Sequence, residues 1–381
     1  MSTQLQFLFP IHGDVMVGAA DGVWVDDSLQ ITATVQADKA QHITVNGVPA
    51  SKNADGTFSA AVLLDGRFNR LTAVNEDTNE QQTISVYVFK KAYHKYRFTV
   101  DDFILGFQDL NAHRNEYTTI FQNPYLQCFK KAHDLYGSKV HINAFYETYD
   151  GAFNLSMMTD RYRDEFTANA DWLTFSFHAR SEMPDLPYAD KSYEEVKQDC
   201  LLVVRELRRI VGDKAVRNTT TLHWGAATLD GTRALRSLGY RALCAYMICC
   251  KGEDYYTDWY KNGDPIVSYY LTREQVEHAE HRCFFVDPEE DIIFAKLHMV
   301  LNAGDLTADR VAPFLDKLSS DPSASAFIQM VIHEQFFYPD YSAYEPDYGD
   351  RILTMAKWMH DHGYASASLS DIIEETDTPV C

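Results

Sequence analysis

Short alternating runs of hydrophobic and polar residues fill the chain from residue 5 to about residue 89. Turn residues separate these runs, and Asn46-Gly47 and Asp55-Gly56 are two of the turns. Strict alternation is typical of half-buried β-strands, and Asn-Gly and Asp-Gly pairs favour tight hairpin turns. Since no helical period occurs in this region, the pattern predicts a small all-β sandwich domain at residues 1–91.

After residue 91 the pattern changes, because strand-like runs now alternate with amphipathic helical segments to the end of the chain. In the segment 192–211 a single apolar stripe follows a capping box made by Ser192 and Glu195. Alternation of this kind predicts βα units and a parallel sheet. The predicted strands are 96–101, 140–146, 172–177, 219–223, 241–246, 292–300, 327–333 and 364–368, and the main predicted helices are 123–136, 192–211, 228–238, 308–318 and 348–362.

Seven or eight such units across residues 92–381 predict a (β/α) barrel domain, either regular or distorted. A doubly wound nucleotide-binding sheet is disfavoured because the sequence contains no glycine-rich phosphate loop. A mixed open sheet is the remaining alternative.

The charge of the chain narrows the classes of partner. A formal net charge of −21 offers no surplus of Lys and Arg to bind nucleic acid or an anionic membrane surface. The sequence contains no apolar run of about 18 residues, so no membrane span is predicted. The chain as written starts without a leader, which predicts a cytoplasmic protein. A leader removed beforehand would instead make it secreted. The seven cysteines form no Cys-x-x-Cys pair and are predicted to be reduced thiols, and the oligomeric state stays open.

Candidate chemistry begins where the predicted strand 96–101 stops at two adjacent carboxylates, Asp101 and Asp102. Neighbouring side chains on a strand point to opposite faces, so both can face one cavity only if the chain turns there. One carboxylate of such a pair can hold a cation while the other takes a proton from water. The alternative is an Asx-turn or a helix N-cap.

Other predicted strands also end in potential ligands. Four of the residues at these strand ends are histidines. A single histidine at such a position is more typical of a structural residue, but four of them beside the Asp pair favour a site for a divalent cation, zinc or similar. The residues at these strand ends are Glu147, His178, His223, Trp224, His298, His333 and Glu334.

Four motifs, in a consistent order over about residues 93–374, resemble the polysaccharide deacetylase (family-4 carbohydrate esterase) superfamily. F-T-V-D-D (98–102) is similar to its Thr-Phe-Asp-Asp motif, and F-S-F-H-A-R-S-E-M-P-D-L (175–186) to its second motif. H-W-G-A-A-T (223–228) resembles the third motif, and M-V-I-H-E (330–334) resembles the late strand that ends in His. In the first region, V-N-G-V-P-A and D-G-T-F resemble bacterial immunoglobulin-like modules.

The resemblance implies a metal-dependent deacetylase that hydrolyses an N- or O-acetyl group on a sugar or oligosaccharide. Asp101 matches the catalytic base of the family, and His333 matches its general acid. Asp102 and His178 match two of its metal ligands.

Two positions depart from the family pattern. Glu182 stands where the family has its second metal-binding His. The third ligand is then Glu182 itself or one of His223, His298 and His333, and the alternative is a metal that is weakly bound or absent. Thr221 stands where the family has the Arg that orients the base.

Aromatic segments at 254–260 and 336–348 suit the stacking of sugar rings, and the sequence predicts a carbohydrate substrate. The residues predicted to bind it are Glu147, His223, Trp224, His298, Glu334 and Tyr338. One alternative is a glycoside hydrolase that pairs Asp101 or Asp102 with Glu147 or Glu334. Another is a non-catalytic carbohydrate-binding relative.

Overall fold

The computed structural model describes residues 5–249, 265–266, 268–302 and 306–373. Within these ranges the chain is a mixed α/β protein with 22 strands and ten α-helices. No helix in the described ranges combines the length and the apolar character needed to cross a membrane. The predicted aromatic segment 254–260 lies outside the described residues.

The first part of the chain forms two sheets that enclose one apolar core. One sheet has the order β1-β4-β8-β7, with β3 beside β4, and β2-β10-β9-β5-β6 lie side by side in a second sheet. Burial alternates along β8, so one face of this strand reaches a core that also takes Val45 and Val86 from the second sheet. The strands are β1 Gln6–Phe9, β2 Asp14–Met16, β3 Val23–Val25, β4 Ser28–Gln36, β5 Ile43–Val45, β6 Val48–Pro49, β7 Ser51–Lys52, β8 Phe58–Leu64, β9 Phe68–Asn75 and β10 Glu80–Val88.

The rest of the chain alternates strands with helices, as its sequence pattern predicts. The strands are β11 Lys95–Phe103, β12 Val140–Phe145, β13 Leu173–Ala179, β14 Thr219–Thr220, β15 Ala242–Ala245, β16 Ile248–Cys249, β17 Pro265–Ile266, β18 Phe284–Asp287, β19 Ile292–Lys296, β20 Met299–Val300, β21 Phe327–His333 and β22 Ala365–Ser366. The helices are α1 Leu105–Ala112, α2 Pro124–Tyr136, α3 Arg163–Ala168, α4 Tyr193–Val211, α5 Leu229–Ser237, α6 Arg273–Ala279, α7 Ala308–Leu318, α8 Pro322–Ser325, α9 Tyr348–Asp361 and α10 Leu369–Ile373.

Two runs of parallel strands position the candidate site. The first run has the order β13-β12-β11-β21-β20, and the second run is β14-β15-β19. A parallel bridge from Phe175 to Val216 links β13 to the segment that leads into β14. Because neighbouring parallel strands end at the same edge, the residues that follow β11, β13, β14 and β21 gather on one side of the sheet.

The two parts of the chain are joined by backbone pairing. β18 runs antiparallel to both β19 and β2, so the sheet of the first part continues into the second part. The buried Arg282 next to this junction donates to Asp14 and to Asp21. A separate apolar cluster, which includes Phe89 and Phe284, spans the same junction. The division into domains at residues 91 and 92 stays a prediction.

Most predicted elements are confirmed, and the differences have local causes. Helix α4 begins at the predicted capping box, in which Ser192 and Glu195 satisfy each other's backbone N–H groups. The predicted strand 219–223 stops at Thr220, because Trp224 takes a left-handed φ of 65° and the chain turns. The predicted strand 292–300 is divided into β19 and β20. Strand β18 was not predicted, because a single run of four residues is too short to show a clear strand pattern.

Candidate metal centre

The chain turns at the Asp101-Asp102 pair. Asp102 has a φ of 63°, in the left-handed region, and the pairing of β11 with β12 shifts register between Val100 and Phe103. A shift of this kind is a β-bulge, which re-aims the side chains beside it. Neither aspartate caps helix α1, whose N-cap residue is Ile104 without a side-chain cap. The pair therefore meets the condition set by the sequence, that the chain must turn for both carboxylates to face one cavity.

Three side chains from different strand ends converge on one point. Asp102 Oδ1 lies 3.0 Å from His178 Nε2 and 3.2 Å from His223 Nδ1, and the two nitrogens are 3.1 Å apart. All three residues are buried. Ligands that bind zinc tetrahedrally at about 2.0–2.1 Å lie about 3.3 Å from one another. The triangle therefore matches three ligands of a tetrahedral cation to within a few tenths of an ångström.

The outer nitrogen of each ring determines what the inner nitrogen can do. His178 Nδ1 lies 2.6 Å from the carbonyl oxygen of Thr221, and His223 Nε2 lies 3.0 Å from the carbonyl oxygen of Glu182. A carbonyl oxygen only accepts, so both outer nitrogens carry the proton and donate it. In the neutral rings the inner nitrogens then carry no proton, and their lone pairs point toward the oxygen of Asp102. Carbonyl partners of this kind are typical of histidines that bind a metal.

The electrostatics of the cluster favour a positive charge at its centre. Burial acts to raise the pKa of Asp102, but the charge of His223 and the hydrogen bonds with His178 and His223 hold it well below its usual range. Burial acts to lower the pKa of His178, but its hydrogen bond with Asp102 and the charges of both aspartates raise it. A proton and a cation therefore compete for the same position, and cation binding weakens as the pH falls.

The structure brings His223 into the cluster of potential ligands. His223 was predicted to bind substrate or to replace a missing ligand, and the resemblance placed Glu182 at the position of the family's second metal-binding His. Within the described residues the cluster contains Asp102, His178 and His223, and Glu182 is not a member. Glu182 instead holds the ring of His223 through its backbone carbonyl. Its own carboxyl has a raised pKa, caused first by burial and then by the charge of Asp102.

Asp101 lies beside this cluster, and its charge is one cause of the raised pKa of His178. Its side chain is 3% exposed, and its Oδ1 accepts a hydrogen bond of 2.6 Å from Asn143 Nδ2 and a longer one of 3.4 Å from Thr99. Asn143 on β12 therefore orients Asp101. A donor on one oxygen fixes the carboxylate without neutralising it.

His333 ends β21 directly opposite Asp101, its partner in the strand register. Its Nδ1 lies 2.7 Å from Asn302 Oδ1. The amide oxygen accepts, so Nδ1 carries the proton and Nε2 is left to exchange one. The charge of His333 is also one cause of the lowered pKa of Asp102.

Glu334 binds the start of helix α1. Its carboxyl group accepts hydrogen bonds from the backbone N–H groups of Ile104, Leu105 and Gly106, at 2.7, 2.7 and 2.6 Å. Tyr338 Oη also donates to it. The side chain is fully buried, and burial raises its pKa to about 7. Glu334 therefore caps helix α1, and the substrate contacts of Glu334 and Tyr338 stay predictions.

We expect Glu334→Gln to lower the free energy of unfolding by about 1–3 kcal/mol, the cost of leaving buried donors without an acceptor. Both carboxyl oxygens receive N–H groups, so the amide nitrogen of Gln must face a donor in either orientation. Urea unfolding measures the change, and Glu194→Gln on the exposed side of α4 is the control. Equal stability of the two variants would contradict the capping role.

Three other predicted residues lie in different surroundings. Glu147 forms an ion pair of 3.1 Å with Arg180, and its role in substrate binding stays a prediction. Trp224 follows His223 in the turn after β14, where the sequence places it beside the site. His298 is half-buried with its Nε2 enclosed, its Nδ1 accepts from the backbone of Gln329, and burial together with Lys296 lowers its pKa to about 3. A neutral His298 fits a structural role, and its contact with a cation or a substrate stays a prediction.

Sequence reasoning missed several polar residues around the cluster. Gln335 directly follows the late motif, which was a signal that it lies near the site. Tyr341 lies in the aromatic segment 336–348, which was predicted to stack on sugar rings. Asn143 and Asn302 come from separate parts of the chain and carry no local signal. The missed residues are Asn143, Asn302, Gln335 and Tyr341.

The chain matches no model of a known protein family, and a search of the curated proteins finds no match.

Proposed function

We propose that the protein is a metal-dependent hydrolase that removes an acetyl group from an N- or O-acetylated sugar or oligosaccharide. One observation carries the proposal. Two imidazole lone pairs and a carboxylate oxygen face one another at 3.0–3.2 Å, and a second carboxylate, Asp101, lies beside them. Lone pairs arranged in this way are stable together only around a cation or a proton.

The residues suit amide or ester hydrolysis. A bound divalent cation would be held by Asp102, His178 and His223 and would supply Lewis-acid polarisation of the acyl carbonyl and a water of lowered pKa. Asp101, oriented by Asn143, takes the proton of the attacking water. His333 gives a proton from Nε2 to the departing nitrogen or oxygen, while Asn302 holds its Nδ1–H.

The strand pairing supports a finer description of the fold. We propose that the parallel strands form a closed, distorted (β/α) barrel, because the segment 292–300 pairs with β15 through β19 and with β21 through β20. The bridge from Phe175 to Val216 joins the other two edges. The two-sheet architecture of the first part supports the immunoglobulin-like sandwich expected there.

The glycoside hydrolase alternative loses support. The carboxyl group of Glu334 accepts hydrogen bonds from three backbone N–H groups, and Glu147 forms an ion pair with Arg180. A general acid or a nucleophile needs a carboxyl group that can reach the substrate.

Metal analysis and acetate release test the proposed function. Protein purified without chelator should contain about one equivalent of zinc or a similar cation, and it should release acetate from N-acetylated chito-oligosaccharides or O-acetylated xylo-oligosaccharides. Removal of the cation with a chelator should stop the reaction, and its return should restore it. Hydrolysis that is insensitive to chelation, or a failure of the purified chain to bind any divalent cation, would contradict the proposal.

We expect Asn302→Asp to extend activity to higher pH. A carboxylate facing Nδ1–H stabilises the imidazolium of His333 relative to the neutral ring, so the acid form should support activity further into the alkaline range. The alkaline limb of the kcat/KM profile should move up by about one pH unit. Asn302→Ala, which removes the partner without adding charge, should lower activity without that upward move. An unchanged alkaline limb in Asn302→Asp would show that His333 is not the acid.

A further inference from the structure

Three consecutive residues hold the turn that carries the two aspartates. His333 pairs with Asp101 in the strand register, and Glu334 binds the backbone N–H groups of residues 104–106. Gln335 completes the set, because its Nε2 donates a hydrogen bond of 2.8 Å to Asp102 Oδ2. Each residue thus anchors a different part of one short segment.

The contact with Gln335 assigns separate tasks to the two oxygens of Asp102. Oδ1 faces His178 and His223, while Oδ2 is held by Gln335. A carboxylate tied at one oxygen cannot rotate to exchange its oxygens, so a single oxygen stays directed at the two imidazoles. Outer partners of this kind orient metal ligands and are worth about 10–100-fold in metal affinity.

The other end of the Gln335 amide has no matching contact. Asp102 only accepts, so the amide must turn Nε2 toward it, and this fixes the direction of Oε1. Oε1 is buried and accepts no hydrogen bond within the described part of the chain. Burial raises the pKa of Tyr341, and the contact of its hydroxyl with this amide acts to lower that pKa, as an N–H directed at the phenol oxygen does, so the contact belongs to Nε2 and not to Oε1. A buried acceptor without a partner is destabilising and calls for an explanation. A small donor that enters the centre beside Asp102 supplies one.

We propose that Gln335 is a positioning residue of the cation centre. Its Nε2 holds Asp102 so that Oδ1 faces the cation, and its Oε1 accepts a hydrogen bond from the attacking water. This inference rests on the proposed function, since both roles require the cation and the water of that reaction. It adds a residue that the motif pattern does not contain.

Calorimetric titration of the metal-stripped full chain with zinc tests the first role. Gln335→Met, which keeps the size of the side chain and removes both polar atoms, should bind zinc about 10–100-fold more weakly than the wild type. Gln127→Met, on the exposed face of α2, is the matched control and should bind as the wild type does. Circular dichroism checks the fold, and Gln335→Asn, whose amide is too short to reach Asp102, replaces the Met variant if that variant misfolds.

Turnover at saturating zinc tests the second role. Gln335→Met should keep a kcat at least about tenfold below the wild type, because the water has lost an acceptor worth about 1.4 kcal/mol. Full recovery of kcat would overturn the role of Oε1, and equal zinc affinities would overturn the role of Nε2. If the wild type itself binds no cation, the proposed function fails as well, so the two failures are distinguishable.

Discussion

Asp101→Asn should lower kcat by about 10²–10⁴-fold, the range that a general base contributes. The amide has the shape of the carboxylate, and its oxygen can still accept the hydrogen bond from Asn143, but it cannot take a proton from water. Asp101 does not belong to the three-residue cluster, so zinc affinity should change little. Acetate release measures the loss, while calorimetry and a thermal melt report cation binding and folding.

Asp160→Asn on the exposed surface serves as the control for Asp101→Asn. Its activity should equal that of the wild type. An Asp101→Asn variant that binds zinc, folds normally and retains wild-type turnover would remove Asp101 from the mechanism.

His223→Ala should lower zinc affinity by more than about 100-fold, beyond what the loss of an outer partner costs. The change removes one of three converging ligand atoms and leaves Asp102 and His178. Glu182→Ala is the informative comparison, because the backbone carbonyl that orients His223 remains in place. Its affinity should stay within a few-fold of the wild type, as measured by calorimetric titration of both variants. The reverse order of affinities would restore Glu182 as the ligand.

The sequence could predict those parts of the site that follow from local pattern. The strand ending at Asp101 and Asp102 is visible because a β-branched and aromatic run stops at two charges. His178 ends a second run of the same kind. The presence of His223 in the cluster, where the motif pattern favoured Glu182, was not predictable from the sequence. It depends on where β14 ends and on the left-handed turn at Trp224.

Long-range contacts account for most of what the sequence could not predict. Glu334 caps a helix that begins about 230 positions earlier in the chain, and no local pattern reports such a partner. Its position at the end of a predicted strand, next to His333, favoured a role in the site instead. The pairing of β18 with β2 is a second case, since two short strands from opposite ends of the sequence recognise each other only in the folded chain.

The pairing of β18 with β2 also determines whether the second part of the chain can be produced without the first part. A shortened protein that starts after residue 91 would lose β2 and leave β18 with an open edge, a known route to aggregation. It would also leave the buried guanidinium of Arg282 without its carboxylate partners, Asp14 and Asp21. The amino-terminal region is thus part of the scaffold of the half that holds the Asp102–His178–His223 cluster, and biochemical work on this cluster needs both parts.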